Sequence, residues 1–350
     1  MVKKTDKSTE GETISRIIEI VRHEKDFFEE RPEILNSEYD QYAKMALVDA
    51  YGLIFTKGRE EPVLFVRHGN TNSYRFGGCC RLSNDSVGVQ TPLHDEDMAQ
   101  KEETGEFRAL SEEPWIYGYG TEKSFSEYRY FYENGLINGT WKEGDFLDVK
   151  AEPFPYCIVQ HMGDIANFTQ IMQPAIVKGT FDGEEVKFLG SFDKVFMPSK
   201  QTSDIGSTMA YNLVLDHGIR QDGRKESFIV YINAEGKGMG MYYLEGEEPI
   251  VSEEVIMETE WFHQPYSDDG TVMYKDALFI VGNKKIHFEG KWGAKGVTAK
   301  PRFGKHGQSQ IFGTWYEGKE RYRHRVYYTF TENMEAYDEN LKSYGFDVKD

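Results

Sequence analysis

Hydrophobic and polar residues alternate with a period of two along most of the chain. In one such run Tyr128, Tyr130 and Tyr132 alternate with Arg129, Phe131 and Glu133. Successive side chains of a strand point to opposite faces of its sheet, so this alternation predicts half-buried β-strands. Further alternating or short β-branched and aromatic runs occupy residues 185–191, 228–232, 238–244, 272–281, 285–292 and 326–330.

Pairs of turn-forming residues separate neighbouring runs. They are Asp182-Gly183, Asp222-Gly223, Asp269-Gly270 and Gly282-Asn283. Such pairs favour hairpins, because Gly, Asp and Asn adopt the backbone conformations that tight turns require. Short strands joined by hairpins predict meandering antiparallel sheets of the barrel or sandwich type. The sequence therefore indicates a mainly β fold.

Helical patterns are confined to the first third of the chain. Near the N-terminus, apolar residues recur at helical spacing on one face, and Pro32 ends the pattern. This face comprises Ile14, Ile17, Ile18, Val21 and Phe28. A second, shorter helix is predicted to begin at Thr91 and Pro92 and to end at Glu103, although residues 94–106 fit a loose acidic loop equally well.

A short internal repeat indicates duplication. Its three copies are Gly139-Thr140-Trp141, Gly179-Thr180-Phe181 and Gly313-Thr314-Trp315. A polar stretch at residues 198–206 is the natural boundary between two halves. We therefore predict an N-terminal helical segment at residues 1–40, a first barrel-like domain at 41–198 and a second at 199–350.

Composition and charge restrict the classes of partner. The chain has 41 Lys and Arg against 59 Asp and Glu, a net charge of -18 that disfavours nucleic acid and anionic membranes as partners. Only three Cys occur, and no stretch approaches the roughly 20 apolar residues of a membrane-spanning helix. We expect a cytoplasmic protein that does not insert into membranes, with its oligomeric state left open.

The usual cofactor motifs are absent from the sequence. It contains no G-x-G-x-x-G after a strand, no phosphate-binding loop and no H-E-x-x-H, and its nine His are scattered singly. We therefore predict that the protein needs neither a cofactor nor a metal ion. The 22 Tyr and 23 Phe suit instead a small apolar ligand held between aromatic-rich strands.

One segment resembles a known family. Residues 167–175 form an aromatic-polar-Pro segment, residues 176–186 hold a Gly-Thr strand and an Asp-Gly turn, and residues 189–193 end in Ser-Phe-Asp. This order resembles the lipocalin-like hydratases that include hydroxyneurosporene synthase (carotenoid hydratase) and AttH-like proteins, over roughly residues 110–335. The resemblance implies two lipocalin-like (calycin-type) antiparallel β-barrel halves.

The chain departs from that family directly after Asp193. Where the family continues with a basic or His residue and then Trp-Gly, this sequence reads Lys194-Val195-Phe196-Met197. The fold implied by the resemblance can therefore be shared while the chemistry differs.

Asp193, His161 and His217 are the candidate catalytic residues. A carboxyl group in an apolar pocket is raised in pKa and can protonate an alkene, and imidazole titrates near neutrality. The structural alternatives are that Asp193 caps a turn and that His217 lies at a solvated hairpin end. Candidate substrate-binding residues are Phe168, Tyr242, Trp261, His263 and Trp315.

The leading hypothesis is a cofactor-independent enzyme that protonates, hydrates or isomerises a small isoprenoid-like or lipid-like molecule. One alternative is a lipocalin-like carrier that binds such a ligand without changing it, and a second is a carbohydrate-active β protein. We expect the working pocket at the junction of the two halves, in contact with His161, Asp193 and Trp261.

Overall fold

The computed structural model describes the part of the chain that forms its strands and the adjoining turns. These ranges are 16–22, 46–58, 63–70, 79–81, 91–92, 106–109, 117–120, 126–133, 136–143, 145, 147–163, 169–196, 212–232, 237–261, 274–295, 308–317 and 324–334. Within them the chain forms two antiparallel sheets of 13 and 9 strands and no helix. The mainly β prediction is confirmed.

The strands of the first sheet are β1 Ile17–Val21, β2 Ala46–Ile54, β3 Val63–Asn70, β4 Cys79–Arg81, β5 Thr91–Pro92, β6 Glu106–Ala109, β7 Tyr117–Gly120, β8 Ser126–Glu133, β9 Leu136–Glu143, β10 Leu147–Pro153, β11 Cys157–His161, β12 Thr169–Phe181 and β13 Glu184–Phe196. Their order in the sheet is β5-β4-β3-β2-β13-β12-β10-β9-β8-β7-β6, and β11 pairs with both β1 and β12.

The strands of the second sheet are β14 Asn212–Arg220, β15 Lys225–Ile232, β16 Gly238–Leu244, β17 Ile250–Ser252, β18 Val255–Trp261, β19 Tyr274–Val281, β20 Lys284–Lys295, β21 Gln308–Glu317 and β22 His324–Met334. Their order in the sheet is β17-β16-β15-β14-β22-β21-β20-β19-β18.

The second sheet curls so that its opposite ends approach each other. A Cβ atom on Gly240 of β16 would lie 2.7 Å from Val281 of β19 and 3.1 Å from Val255 of β18, so only glycine allows this approach. Pairing among the described residues does not join the edge strands β17 and β18. The predicted closed barrels are thus not seen in these ranges, and the proposed domain limits remain a prediction.

Predicted turns coincide with observed hairpins. Asp182 and Gly183 join β12 to β13 with φ angles of 52° and 78°, the two positive values of a type I′ turn. Gly223 and Gly282 also have positive φ angles, of 90° and 57°. The Asp269-Gly270 turn lies outside the described residues.

The predicted N-terminal helix is wrong where the structure describes it. Residues Ile17–Val21 form strand β1, which pairs in antiparallel register with β11. Four of its five residues are Ile or Val, whose branched side chains fit a pleated sheet better than a helix. Thr91 and Pro92, the predicted start of the second helix, likewise form the short strand β5 beside β4. The rest of both predicted helices lies outside the described ranges.

The aromatic residues of the repeated motif lie in the cores of the two sheets. Trp141, Phe181 and Trp315 are each 1% exposed. Trp141 stacks on Phe192 with ring centroids 4.7 Å apart. The Trp141 ring covers Gly139, where a Cβ atom would lie only 2.6 Å from it. In this copy of the repeat, the glycine leaves room for the large buried ring two residues later in the strand.

Contacts at two places in the first sheet, strand β13 and the start of strand β1, join it to the second sheet. The backbone of β13 lies beside β14 and β22. At β1, Arg16 Nη1 donates to the carbonyl oxygen of Gly238 at 2.9 Å and lies 3.7 Å from the carboxylate of Glu253. Among the described residues there is no helix of the length and hydropathy needed to span a membrane.

Candidate active site

A bulge between β10 and β11 carries the first sheet toward the second. Residues 154–157 lie opposite only two residues of β12, 173–174, so the chain arches away from that strand. The Gln173 amide holds the arch in place. The two protons on its Nε2 are shared among the carbonyl oxygens of Phe154 (3.2 Å), Tyr156 (2.9 Å) and Pro174 (3.0 Å).

The tip of this bulge, Tyr156, contacts a serine and histidine pair in the second sheet. Its hydroxyl lies 2.9 Å from Ser227 Oγ, and its ring meets the Tyr243 ring edge-on at 4.8 Å. Ser227 Oγ is also 2.8 Å from His217 Nδ1. Ser227 and His217 are directly opposite each other in the register of β15 and β14. Three side chains from two sheets thus form one continuous hydrogen-bonded chain.

Burial sets the electrostatics of this chain. His217 and Ser227 are fully buried, and Tyr156 is 2% exposed. Burial lowers the pKa of His217 to about 3, so the imidazole is neutral at pH 7. Burial also raises the pKa of Tyr156 well above 10, against the opposing effect of its hydrogen bond to Ser227. Among the described residues His217 Nε2 has no hydrogen-bond partner.

The register row next to His217, on its own face of the sheet, is apolar. We call the side of the second sheet that carries Leu215, His217, Ser227, Ile229 and Met241 the junction face. Leu215, Ile229 and Met241 occupy one register row across β14, β15 and β16. Each is at most 1% exposed. The imidazole therefore has aliphatic neighbours on its own face of the sheet.

A second histidine in the first sheet has a similar local arrangement. His161 Nδ1 lies 2.7 Å from Thr169 Oγ1, its register partner on β12. Burial lowers the pKa of His161 to about 4. Its Nε2 also has no hydrogen-bond partner within the described ranges.

Asp193 lies on the opposite face of the first sheet from His161. Its Oδ2 accepts from Gln170 Nε2 and its Oδ1 from Ser191 Oγ, both at 2.8 Å. Gln170 accepts in turn from Gln160 Nε2 at 2.7 Å. Since Gln170 follows Thr169 on one strand, the Asp193 network and the His161 pair face opposite ways. The structure does not bring these two predicted residues together.

Two more carboxyl groups lie inside the second sheet. Asp216 and Glu226 are fully buried on the face opposite His217 and Ser227. Tyr242 donates its hydroxyl to Glu226 Oε2 at 2.8 Å, and Lys284 Nζ lies 4.6 Å from the centre of the Tyr242 ring. Tyr242 belongs to the same apolar core cluster as Trp315, Phe228 and Phe279.

The predicted residues thus fall in several places. Tyr242 and Trp315 share the core of the second sheet, with His217 on its other face. Trp261 ends β18 opposite Tyr274, and its side chain lies outside the described set. Phe168 and His263 also lie outside the described ranges. Within those ranges no group of three or more His, Cys, Asp or Glu could hold a metal ion.

The sequence interpretation missed Tyr156, Ser227 and Gln173. Tyr156 follows a proline just before β11, and no sequence motif at this position marks it as a functional residue. Its contact with Ser227 spans 71 positions along the chain. Only counting the β14–β15 hairpin register could have placed Ser227 opposite His217.

Comparison with known proteins supports the fold. No protein-family model and no curated protein matches the sequence. A solved structure described as AttH from Nitrosomonas europaea overlays with a TM-score of 0.51 at 11% identity, covering 83% of this chain and 91% of that one. Kievitone hydratase from Nectria haematococca overlays at 0.38 with 9% identity, covering 82% and 87%, and at that TM-score carries no argument. The AttH similarity agrees with the fold implied by the sequence resemblance, and at this identity it concerns fold alone.

Proposed function

We propose that the protein is a cofactor-independent enzyme that carries out acid–base chemistry on a small, largely apolar molecule at the junction of its two sheets. Protonation, hydration and isomerisation are the reactions of this class. The observation that carries the proposal is His217, a fully buried and neutral imidazole whose Nδ1 is held by Ser227 while its Nε2 has no partner among the described residues.

A neutral imidazole suits this chemistry. It can donate a hydrogen bond from a ring N–H to a substrate oxygen and stabilise the negative charge that develops there while a proton moves at the adjacent carbon, and a positioned group of this kind contributes roughly two to four orders of magnitude to a rate. The hydrogen bond from Ser227 orients the ring, as the partner of a catalytic histidine does. The apolar class of the substrate follows from Leu215, Ile229 and Met241 on the junction face.

We assign the proton-handling role to His217 in preference to Asp193. Both carboxylate oxygens of Asp193 already accept hydrogen bonds, from Gln170 and Ser191. A substrate would have to compete with these bonds to be protonated there. His217 Nε2 meets no such competition among the described residues.

The test is a search for turnover with the full-length protein after dialysis against a chelator. It is incubated in water with a panel of isoprenoid alkenes and α,β-unsaturated ketones, and products are separated by mass spectrometry. We expect at least one compound to gain one water or to isomerise, and heat-denatured protein to do neither. Saturable binding of the panel without conversion would instead establish a carrier and contradict the enzyme proposal.

A further inference from the structure

The proton of the Tyr156 hydroxyl decides the direction of the hydrogen-bonded chain. Among the described residues its hydroxyl has one hydrogen-bond partner, Ser227 Oγ. A buried hydroxyl without an acceptor is strongly disfavoured. Tyr156 therefore donates to Ser227, because the reverse direction would leave the tyrosine proton with no acceptor.

The direction then passes through Ser227 to the imidazole. A serine hydroxyl has a single proton, and Ser227 Oγ has two partners, Tyr156 and His217 Nδ1. It accepts from Tyr156, and accepting from Nδ1 as well would leave its own buried proton without an acceptor, so it donates to Nδ1. A neutral imidazole bears one proton, which must then lie on Nε2.

We propose that Ser227, which accepts a hydrogen bond from Tyr156 across the junction, is a positioning residue that fixes the tautomer of His217, so that Nε2–H is presented as a hydrogen-bond donor. The matching ligand group is an acceptor oxygen, such as a carbonyl or hydroxyl, on an otherwise apolar molecule. Only this ligand class rests on the proposed function. The tautomer itself follows from the hydrogen bonds.

The His161 pair provides an internal check. Thr169 Oγ1 has His161 Nδ1 as its side-chain partner in the described ranges, and no third hydroxyl is bonded to it there. Because the buried threonine proton has no other acceptor among the described residues, it is donated to Nδ1, and the proton of His161 is expected on Nε2 as well. The cross-strand hydroxyl thus sets the tautomer at both histidines, and Tyr156 adds a second bond to the hydroxyl beside His217.

The experiment is a long-range ¹H–¹⁵N correlation spectrum of the histidine rings in the ¹⁵N-labelled full chain at about pH 7.5, where both buried histidines are neutral. The signal of His217 is assigned by its loss in His217→Gln. In the wild type we expect Nε2 protonated and Nδ1 unprotonated. In Ser227→Ala, which removes the donor to Nδ1, the preference for this tautomer should fall by roughly fivefold, the effect of one hydrogen bond on an equilibrium constant.

Tyr243→Phe is the matched control. It removes a hydroxyl from the ring that packs edge-on against Tyr156 and leaves the Tyr156–Ser227 bond intact. We expect its His217 signals to match the wild type. A proton on Nδ1 in the wild type overturns the proposal, as does an unchanged tautomer in Ser227→Ala. The wild-type spectrum decides the tautomer even where a variant fails to fold, and it does so whether or not turnover is found.

Discussion

His161 and His217 are both buried and both pair with a hydroxyl residue, but the two pairs differ in whether a side chain from the other sheet is hydrogen-bonded to them. Each faces a hydroxyl residue directly across an antiparallel strand pair, at 2.7 Å for Thr169 and 2.8 Å for Ser227. Burial lowers the pKa of both, to about 4 and about 3. Within the part of the chain that the structure describes, only the second pair is extended by a residue from the other sheet, Tyr156.

The difference shows that a cross-strand histidine and hydroxyl pair is a local property of a sheet, whereas its chemical role depends on tertiary structure. Gln173 produces that tertiary contact by holding the bulge whose tip is Tyr156. Without the bulge, the two pairs would be equivalent. Substitutions at Gln173, at the two histidines and at the two hydroxyl residues therefore test this difference.

The largest effect on stability is expected for Gln173→Ala. The substitution removes one amide that bonds three carbonyl oxygens, and we expect the free energy of unfolding to fall by about 3 kcal/mol. Gln160→Ala is the matched control, because Gln160 Nε2 makes a single side-chain bond, to Gln170. It should cost about 1 kcal/mol. Equal losses in urea denaturation would contradict the anchoring role of Gln173.

Acidification should destabilise the protein through both histidines. Their folded pKa values lie below the ordinary 6.5, so the unfolded chain binds protons first as pH falls, and stability is lost from about pH 6.5 down to about 4 for His161 and 3 for His217. At pH 5 each costs about 2 kcal/mol relative to pH 7.5. Denaturation at both pH values should show this loss reduced in His161→Gln and in His217→Gln. An equal pH dependence in wild type and variants would refute the buried neutral state.

The smallest difference is expected between the two hydroxyls. Thr169→Val removes one hydrogen bond with little change of shape and should cost about 1 kcal/mol. Ser227→Ala removes two bonds and leaves both Tyr156 and His217 Nδ1 unsatisfied, so it should cost about 2 kcal/mol. The measurement is again urea denaturation. A Ser227→Ala variant no less stable than Thr169→Val would mean that Tyr156 adds nothing to the pair.

The strands could be predicted because their signal is local. The run at residues 238–244 coincides with strand β16, and Asp182-Gly183 forms the predicted hairpin turn. The helix predicted over Ile17–Val21 failed because its partner, β11, lies some 140 residues away in sequence and supplies the pairing that decides between helix and strand.

Residues of the site could be predicted by type but not by partner. His217 was recognisable as a titratable group beside a hairpin, yet a two-residue turn at Asp222-Gly223 would place it opposite Phe228. The observed turn is one residue longer, and this shift places Ser227 there. Tyr156 comes from the other sheet, so no local pattern connects it with His217.

The most direct test of the account is the relative turnover of His217→Gln, His161→Gln and Asp193→Asn on a substrate identified by the conversion screen, with circular dichroism to verify folding. We predict that His217→Gln lowers turnover by roughly two to four orders of magnitude. The other two variants should stay within about tenfold of the wild type, since neither removes a group that we place at the reacting atoms. A His217→Gln variant with wild-type turnover, or an equal loss in Asp193→Asn, would contradict the account.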